Sequence, residues 1–179
     1  MSTQNEKGTA LITGASSGIG ATYAERLARR GYDLLLVARD LARLEALGAR
    51  LTQAYGVKID AMKADLTDSG DIQTVSQRLR SDKAISLLVN NAGMTMNGKL
   101  ADADAATVDH MILLNVVSLT HLSAAASANF TAAGRGAIIN IASVVALVPE
   151  MFNAVYSATK AYVLSLTQTL DAEVKAQGV

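Results

Sequence analysis

The chain has 179 residues, a formal net charge of zero and no cysteine. One domain spanning residues 1–179 fits this length, and the scattered lysines and arginines form no basic face for nucleic acid. Without cysteine, and with only His110 and His121 as histidines, no disulfide and no metal site are expected. Because we find no apolar signal core and no apolar stretch of the ~18 residues that a membrane helix needs, we expect a cytoplasmic protein with no membrane partner.

Short β-rich runs alternate with helical patterns along the chain, which is typical of repeated βαβ units and a parallel sheet. Continuous apolar residues in 34–37 and 137–141 indicate strands that are buried on both faces. Right-handed crossovers and a ligand site at the first turn imply a Rossmann-like doubly wound α/β fold, with three α/β/α layers and strand order 3-2-1-4-5. The predicted strands are 10–13, 33–38, 58–64, 86–90 and 137–142, and the predicted helices are 18–30, 41–55, 69–81, 107–132 and 153–177.

A glycine-rich turn, Thr13-Gly-Ala-Ser-Ser-Gly-Ile-Gly20, separates the first predicted strand from the first predicted helix. Free backbone N–H groups and the positive end of the helix would meet there, which suits a pyrophosphate. Gly14 permits the tight turn, Gly18 lets a phosphate approach the backbone, and Gly20 lets the helix pack closely on the sheet. The sequence therefore predicts a dinucleotide site, to which the loop also contributes Ser16, Ser17 and Ile19.

The second predicted strand ends in Val37-Ala-Arg-Asp40, where the type of dinucleotide would be selected. At this place an acid binds a ribose 2′-hydroxyl, whereas an arginine accepts a 2′-phosphate. Ala38 offers no carboxylate and Arg39 follows it, so the sequence favours NADP over NAD. In the alternative interpretation, Arg39 is a surface arginine and Asp40 only caps the next helix.

Tyr156 and Lys160 lie four residues apart, and Ser143 lies thirteen residues before the tyrosine. On a helix this spacing places the phenol and the ammonium on one face, one turn apart. A cation there favours phenolate over phenol, so the tyrosine can exchange a proton with a substrate oxygen. The same spacing also occurs on solvated helix faces that have no chemical role.

Together with three further motifs, these residues resemble the short-chain dehydrogenase/reductase family, whose glycine motif has the same Thr-Gly-x-x-x-Gly-x-Gly spacing. The resemblance runs from about Lys7 to the last residue. Because the motifs occur in the order expected for the family, coincidence is a poor explanation. The further motifs are Asp65 in Ala64-Asp-Leu66, the run Asn90-Asn-Ala-Gly93, and Asn115 in Leu114-Asn-Val116.

The resemblance implies an NADP-dependent oxidoreductase that interconverts a small-molecule carbonyl and a secondary alcohol by hydride transfer. It assigns Tyr156 as the general acid/base and places Lys160 on the nicotinamide ribose, so both residues also contact the cofactor. Ser143 would hold the substrate oxygen, and Asn115 would anchor a water that relays protons from Lys160. The alternatives are that Ser143 caps a strand end and that Asn115 is a buried amide stabilising a helix kink.

The same resemblance assigns cofactor contacts at the ends of two further strands. Asn91, Ala92 and Gly93 would abut the cofactor while also bracing the central sheet. Asp65, with Leu66 beside it, would meet the adenine edge. A turn-capping aspartate is the alternative for Asp65.

Members of the family usually continue beyond this point with a sixth and a seventh strand, a helical lid over the substrate and a further helix. The chain stops at Gln177-Gly-Val179, so we expect a fragment of a longer protein or a shortened form. A noncatalytic NAD(P)-binding module, or an inactive fragment without the lid, is therefore the alternative function.

Association of copies is also expected, because hydrophobic residues make up 50% of the chain and charged residues only 18%. The resemblance implies a homodimer or homotetramer that packs helices 107–132 and 153–177 against their symmetry mates. Both helical patterns carry apolar residues round much of their circumference. The residues expected to supply the excess apolar surface are Leu119, Leu122, Ala125, Tyr162, Leu166 and Leu170.

Overall fold

The structure, a computed structural model, describes residues 7–179. Five parallel strands form one sheet in the order β3-β2-β1-β4-β5, which confirms the predicted Rossmann-like fold. The strands are β1 Thr9–Thr13, β2 Asp33–Ala38, β3 Ile59–Lys63, β4 Ile85–Asn90 and β5 Ala137–Asn140. The α-helices are α1 Gly18–Arg29, α2 Leu41–Tyr55, α3 Ser69–Ser81, α4 Ala105–Ile112, α5 Leu119–Ala133 and α6 Ala154–Val174.

Two apolar cores lie on opposite faces of the sheet, since successive side chains of a strand point to opposite faces. In β2, Leu34 and Leu36 pack with residues of α1 and α2, whereas Leu35 and Val37 pack with α3 and α5. All four are buried, so the prediction of a strand covered on both faces is confirmed for β2. For β5 the same prediction is confirmed only in part: Ile138 packs against one core and Ile139 against the other, but the strand residues are half-buried or exposed.

The predicted helix 107–132 forms as three consecutive helical segments. Between α4 and α5 lies a π-helical segment, Leu113–Ser118, which contains Asn115. The whole stretch Ala105–Ala133 has 29 residues and contains an 18-residue window with a mean hydropathy of 1.5, so by length and composition alone it could cross a membrane. That finding departs from the expectation that no stretch would qualify, but core helices of soluble proteins meet the same criterion. Here Leu122 and Phe130 are buried against the sheet.

The second long helix begins one residue later than predicted, because Asn153 is its N-cap and not its first turn. Its α-helical hydrogen bonding ends at Val174, after which Lys175–Gln177 forms a short 3₁₀ turn. Two more 3₁₀ turns, Val144–Ala146 and Pro149–Met151, connect β5 to this helix, and a fourth, Leu100–Asp102, precedes α4.

Several residues that were expected to form apolar surface on the outside of these long helices are buried instead. Leu119, Leu122 and Ala125 lie in the core, because they face inward. Tyr162 is 39% exposed, and Ile112, which was not selected, is exposed to the same extent. The homo-oligomer through these helices stays a prediction.

Candidate active site

The glycine turn that follows β1 has the geometry that its sequence predicts. Gly14 and Gly18 have φ of +63° and +54°, a region that residues with a side chain rarely adopt. A Cβ added to Gly20 would overlap the carbonyl oxygen of Gly14 and lie 2.6 Å from Asn91 Nδ2. The start of α1 can therefore pack directly beneath the turn only while residue 20 has no side chain.

Thr13 and Asn91 hold this turn to the end of β4. The Thr13 hydroxyl accepts hydrogen bonds from the backbone N–H groups of Asn91 and Ala92, each at 3.0 Å. In return, Asn91 Nδ2 donates to the carbonyl oxygens of Thr13 and Gly14 at 3.0 and 3.2 Å. Thr13 was not selected as a functional residue from the sequence, although it opens the glycine motif.

An open cleft of about 1000 Å³ runs along the carboxyl edge of the sheet, from the glycine turn to the ends of β2, β3 and β4. Ser17, the N-cap of α1, makes no side-chain capping bond, so the first N–H groups of this helix have no side-chain acceptor. A Cβ added to Gly18 would meet no atom within 4 Å. Eleven predicted cofactor residues line the cleft: Gly14, Ser16, Ser17, Gly18, Ile19, Arg39, Asp65, Leu66, Asn91, Ala92 and Gly93.

Three cationic side chains, from Arg39, Arg43 and Lys63, line the part of the cleft near the ends of β2 and β3. Ala38 pairs with Lys63 in the sheet, so Arg39 and Lys63 leave adjacent strands at the same edge. Asp40 caps α2 by accepting from Arg43 N at 3.1 Å, and its other oxygen lies 3.1 Å from Arg43 Nε. The capping alternative for Asp40 is therefore what the structure shows, while Arg39 lies exposed in the cleft.

Asp65 makes a local turn and also lines the cleft. Its Oδ1 accepts hydrogen bonds from Thr67 N at 3.0 Å and from Thr67 Oγ1 at 2.8 Å. The hydrogen bond from the Thr67 backbone is the main cause that lowers the pKa of Asp65 below its ordinary value, with the nearby charge of Arg39 contributing. The turn-capping alternative and the predicted place in the site are thus both compatible with the structure.

Tyr156 and Lys160 lie on the first turns of α6, with Lys160 Nζ 5.8 Å from the centroid of the tyrosine ring. Lys160 is only 7% exposed, and its Nζ donates to the carbonyl oxygen of Ile141 at 2.7 Å. Burial lowers the pKa of Lys160, because desolvation penalises the ammonium form. The half-buried ring of Tyr156 meets Phe152 edge-on at 5.3 Å between centroids.

Asn115 joins α6 to the loop after β4. Its Oδ1 accepts from Met94 N at 2.9 Å, and its Nδ2 donates to Met94 O at 2.8 Å and to Thr159 Oγ1 at 3.2 Å. A Cβ added to Gly93 would lie 3.2 Å from Asn115 Oδ1 and 3.8 Å from Lys160 Nζ. Gly93 therefore lies between the cleft, which it lines, and the buried Lys160.

Ser143 follows β5 and precedes the 3₁₀ turn Val144–Ala146, which packs against α6. Its Oγ accepts a hydrogen bond from Val145 N at 3.4 Å, as the capping alternative requires. Within residues 7–179, no hydrogen bond joins Ser143 to Tyr156 or Lys160. The strand end and the helix are instead tied through Lys160 and the carbonyl of Ile141, two residues before the serine.

The sequence analysis missed Asn153, whose Oδ1 accepts from the backbone N–H groups of Val155 and Tyr156. The signal was available, because asparagine is among the preferred N-cap residues. Thr159 was missed as well, although its hydroxyl donates to the Tyr156 carbonyl at 2.8 Å. A threonine inside a helix often donates its hydroxyl to the carbonyl three or four residues earlier, so helix position was the available signal.

A family model described as short chain dehydrogenase matches residues 8–179. The chain belongs to the short-chain dehydrogenase/reductase family. Among curated relatives, the very-long-chain 3-oxoacyl-CoA reductase of Anas platyrhynchos is 31% identical over 175 residues, which cover 95% of this chain and 56% of the relative. The chain therefore spans about half the length of this relative.

Two solved structures of the family are more similar in sequence. A bulky-bulky ketone specific alcohol dehydrogenase from Comamonas testosteroni is 49% identical, with a TM-score of 0.94 over 96% of this chain and 68% of that one. A short-chain dehydrogenase from Sphingobium yanoikuyae, solved in complex with NADPH, is 52% identical, with a TM-score of 0.93 over 95% of this chain and 67% of that one.

Proposed function

We propose that this chain is the dinucleotide-binding and catalytic part of an NADP-dependent oxidoreductase that interconverts a carbonyl and a secondary alcohol. The observation that carries the proposal is the position of Lys160. Its buried Nζ lies 5.8 Å from the Tyr156 ring and near Gly93, which lines the dinucleotide cleft. An acid/base pair and a cofactor cleft are thereby brought to one place.

The cleft fits a dinucleotide phosphate at two points. At one end, the uncapped start of α1 and the open space above Gly18 suit a pyrophosphate. At the other end, Arg39 and Lys63 supply cations for a 2′-phosphate, which supports NADP. When bound, the cofactor supplies or accepts the hydride. The NADPH-bound relative supports the same choice.

In carbonyl reduction, Tyr156 donates its phenolic proton to the substrate oxygen, and in alcohol oxidation it takes that proton back. Lys160 has three N–H donors and uses one on Ile141 O, so two remain for a ribose hydroxyl or a water. Ser143 would hold the substrate oxygen. Because the Asn115 side chain is occupied by Met94 and Thr159, its part in a proton relay would fall to the backbone of the π-helical segment.

The connection from β5 to α6, which leads to Tyr156, exposes several apolar side chains. Val144, Leu147 and Met151 are 70%, 73% and 74% exposed, and Phe152, which touches the tyrosine ring, is 46% exposed. These side chains suit a carbonyl compound that carries large apolar groups, since burying them removes apolar surface from water. The printed name of the Comamonas testosteroni relative, specific for bulky-bulky ketones, supports this choice.

Cofactor titration and steady-state kinetics test the proposal. NADPH should bind more tightly than NADH, and Arg39→Asp should shrink or reverse a preference of about 10- to 150-fold, the range that a charge-assisted contact gives. Tyr156→Phe should abolish reduction of an aryl alkyl ketone while NADPH binding persists, whereas Lys160→Ala should weaken both. Equal affinities for NADH and NADPH would contradict the NADP choice. Tight NADPH binding without turnover of any carbonyl would favour the noncatalytic module.

Assembly is proposed separately, as an isologous dimer through the outer faces of helices 107–132 and 153–177, which correspond to the stretch from α4 to α5 and to α6. Ile112 and Tyr162 are the exposed large apolar residues there, and Tyr162 is held by a 2.9 Å hydrogen bond between its hydroxyl and Thr120 Oγ1. Light scattering on wild type and on Ile112→Glu tests the interface. A monomer at every concentration of the wild type would refute it.

A further inference from the structure

The side-chain amide of Asn153 forms hydrogen bonds to two separate parts of the chain, with its oxygen as acceptor and its nitrogen as donor. Its Oδ1 caps α6, accepting from Val155 N at 3.0 Å and Tyr156 N at 3.2 Å. Its Nδ2 donates to the carbonyl oxygen of Gly98 at 2.7 Å, across 55 positions of sequence. The residue is only 9% exposed, so water competes weakly for either contact.

The partner of Nδ2 belongs to a segment that has little other support. Residues 93–98 follow β4 without forming a helix or a strand. At its start, Gly93 lines the cleft, and the neighbouring Met94 is held through both its N–H and its carbonyl by Asn115. At its end, Gly98 has φ of +92° and a carbonyl that Asn153 binds. Two asparagine side chains thus hold segment 93–98, one near each end.

Helix capping uses only the Oδ1 acceptor of Asn153. Aspartate caps helices equally well but has no N–H to donate when ionised, whereas the primary amide of asparagine accepts through its oxygen and donates through its nitrogen. The donor half of Asn153 is therefore available for a separate task. Its acceptor half binds the N–H of Tyr156 itself, while Thr159 binds the carbonyl of the same residue.

We propose that Asn153 is a positioning residue, which sets the separation between Tyr156 and the segment of residues 93–98, whose first residue lines the cleft. The inference rests on the proposed oxidoreductase function. The Asn153 amide hydrogen-bonds both the backbone N–H of Tyr156 and the carbonyl of Gly98, so one side chain positions the tyrosine and the segment of residues 93–98. Loss of the Nδ2 donor releases the segment and leaves the helix cap in place.

Asn153→Asp separates the two connections. The carboxylate keeps the cap and is favoured by the positive end of α6, but it presents an oxygen to the Gly98 carbonyl in place of a donor. Asn153→Ala removes both connections. The matched control is Asp68→Ala, because Asp68 caps α3 by accepting from Asp71 N at 3.0 Å and makes no contact with the segment.

Amide hydrogen exchange and limited trypsin cleavage after Lys99 report on the segment without cofactor or substrate. In Asn153→Asp, we expect exchange of residues 94–99 and cleavage at Lys99 to accelerate by about tenfold, the effect of losing one ordinary hydrogen bond. Melting should stay close to that of the wild type. For the same variant, kcat should fall by about tenfold while the Kd for NADPH stays constant.

The outcomes are distinguishable. Unchanged exchange and cleavage in Asn153→Asp, or an equal change in Asp68→Ala, would overturn the tether. A released segment with unchanged kcat would overturn the positioning role. An inactive wild type would instead refute the oxidoreductase proposal, and the exchange and cleavage results would still decide whether Asn153 holds the segment.

Discussion

Substitution of Gly20 by alanine tests how closely α1 must approach the glycine turn. The added Cβ would lie 2.6 Å from Asn91 Nδ2 and 2.9 Å from the carbonyl carbon of Gly14. Carbon contacts are favourable at about 3.5–4.0 Å, so the start of the helix or the turn must move by roughly 1 Å. The turn cannot move freely, because Asn91 and Thr13 bind it to β4.

The expected change in the free energy of unfolding is the difference between two opposing effects. Overpacking of this kind costs about 3 kcal/mol when backbone is involved, and the better helix propensity of alanine returns about 1 kcal/mol. The remaining loss of about 2 kcal/mol should lower Tm by about 4–8 °C for a chain of this size. Differential scanning calorimetry of the two proteins measures the change directly.

Gly18→Ala is the matched control, because its Cβ would meet nothing within 4 Å and its only penalty is the φ of +54°. That conformation costs about 1–2 kcal/mol, partly offset by the lower entropy of the unfolded chain, so Tm should fall by only about 2–4 °C. A Gly20→Ala protein that melts at or above the temperature of Gly18→Ala would refute the steric argument.

Three further predictions concern other contacts of the site. Thr13→Val removes the hydroxyl that accepts from Asn91 N and Ala92 N; it should lower the free energy of unfolding by about 1–3 kcal/mol in urea titrations, and Thr13→Ser should restore most of it. Because the pKa of Asp65 is lowered in the folded state, its charge stabilises the fold above the ordinary pKa, and this contribution disappears as pH falls through the lowered value. Asp65→Asn should therefore lower the free energy of unfolding at neutral pH and match the wild type once the pH lies below the lowered pKa of Asp65. Burial lowers the pKa of Lys160, so its ammonium form opposes folding below the ordinary pKa. Lys160→Met should abolish carbonyl reduction without lowering Tm, and a large drop in Tm would contradict that account.

Much of the fold was predictable from local patterns. Apolar runs of strand length alternated with helical patterns, and the glycine turn fixed where the first crossover begins, so the strand order 3-2-1-4-5 followed from handedness. The proposed assignments for Tyr156 and Lys160 came from the family resemblance, and the periodicity of a helix explains only why the two side chains share a face. Element ends were less predictable: Asn153 was placed inside its helix and proved to be the cap, because capping depends on where a side chain turns back.

By itself, the sequence determined which residue types of the cofactor motifs reach the carboxyl edge of the sheet, because the glycine turn, Arg39, Asp65 and Asn91 each come after a strand and parallel strands end on the same side. Only the tertiary structure decided what those side chains bind. Thr13 meets Asn91 across 78 positions, Asn115 meets Met94 across 21, and Asn153 meets Gly98 across 55. No local periodicity records such pairs, because they exist only after the strands and helices have packed into place.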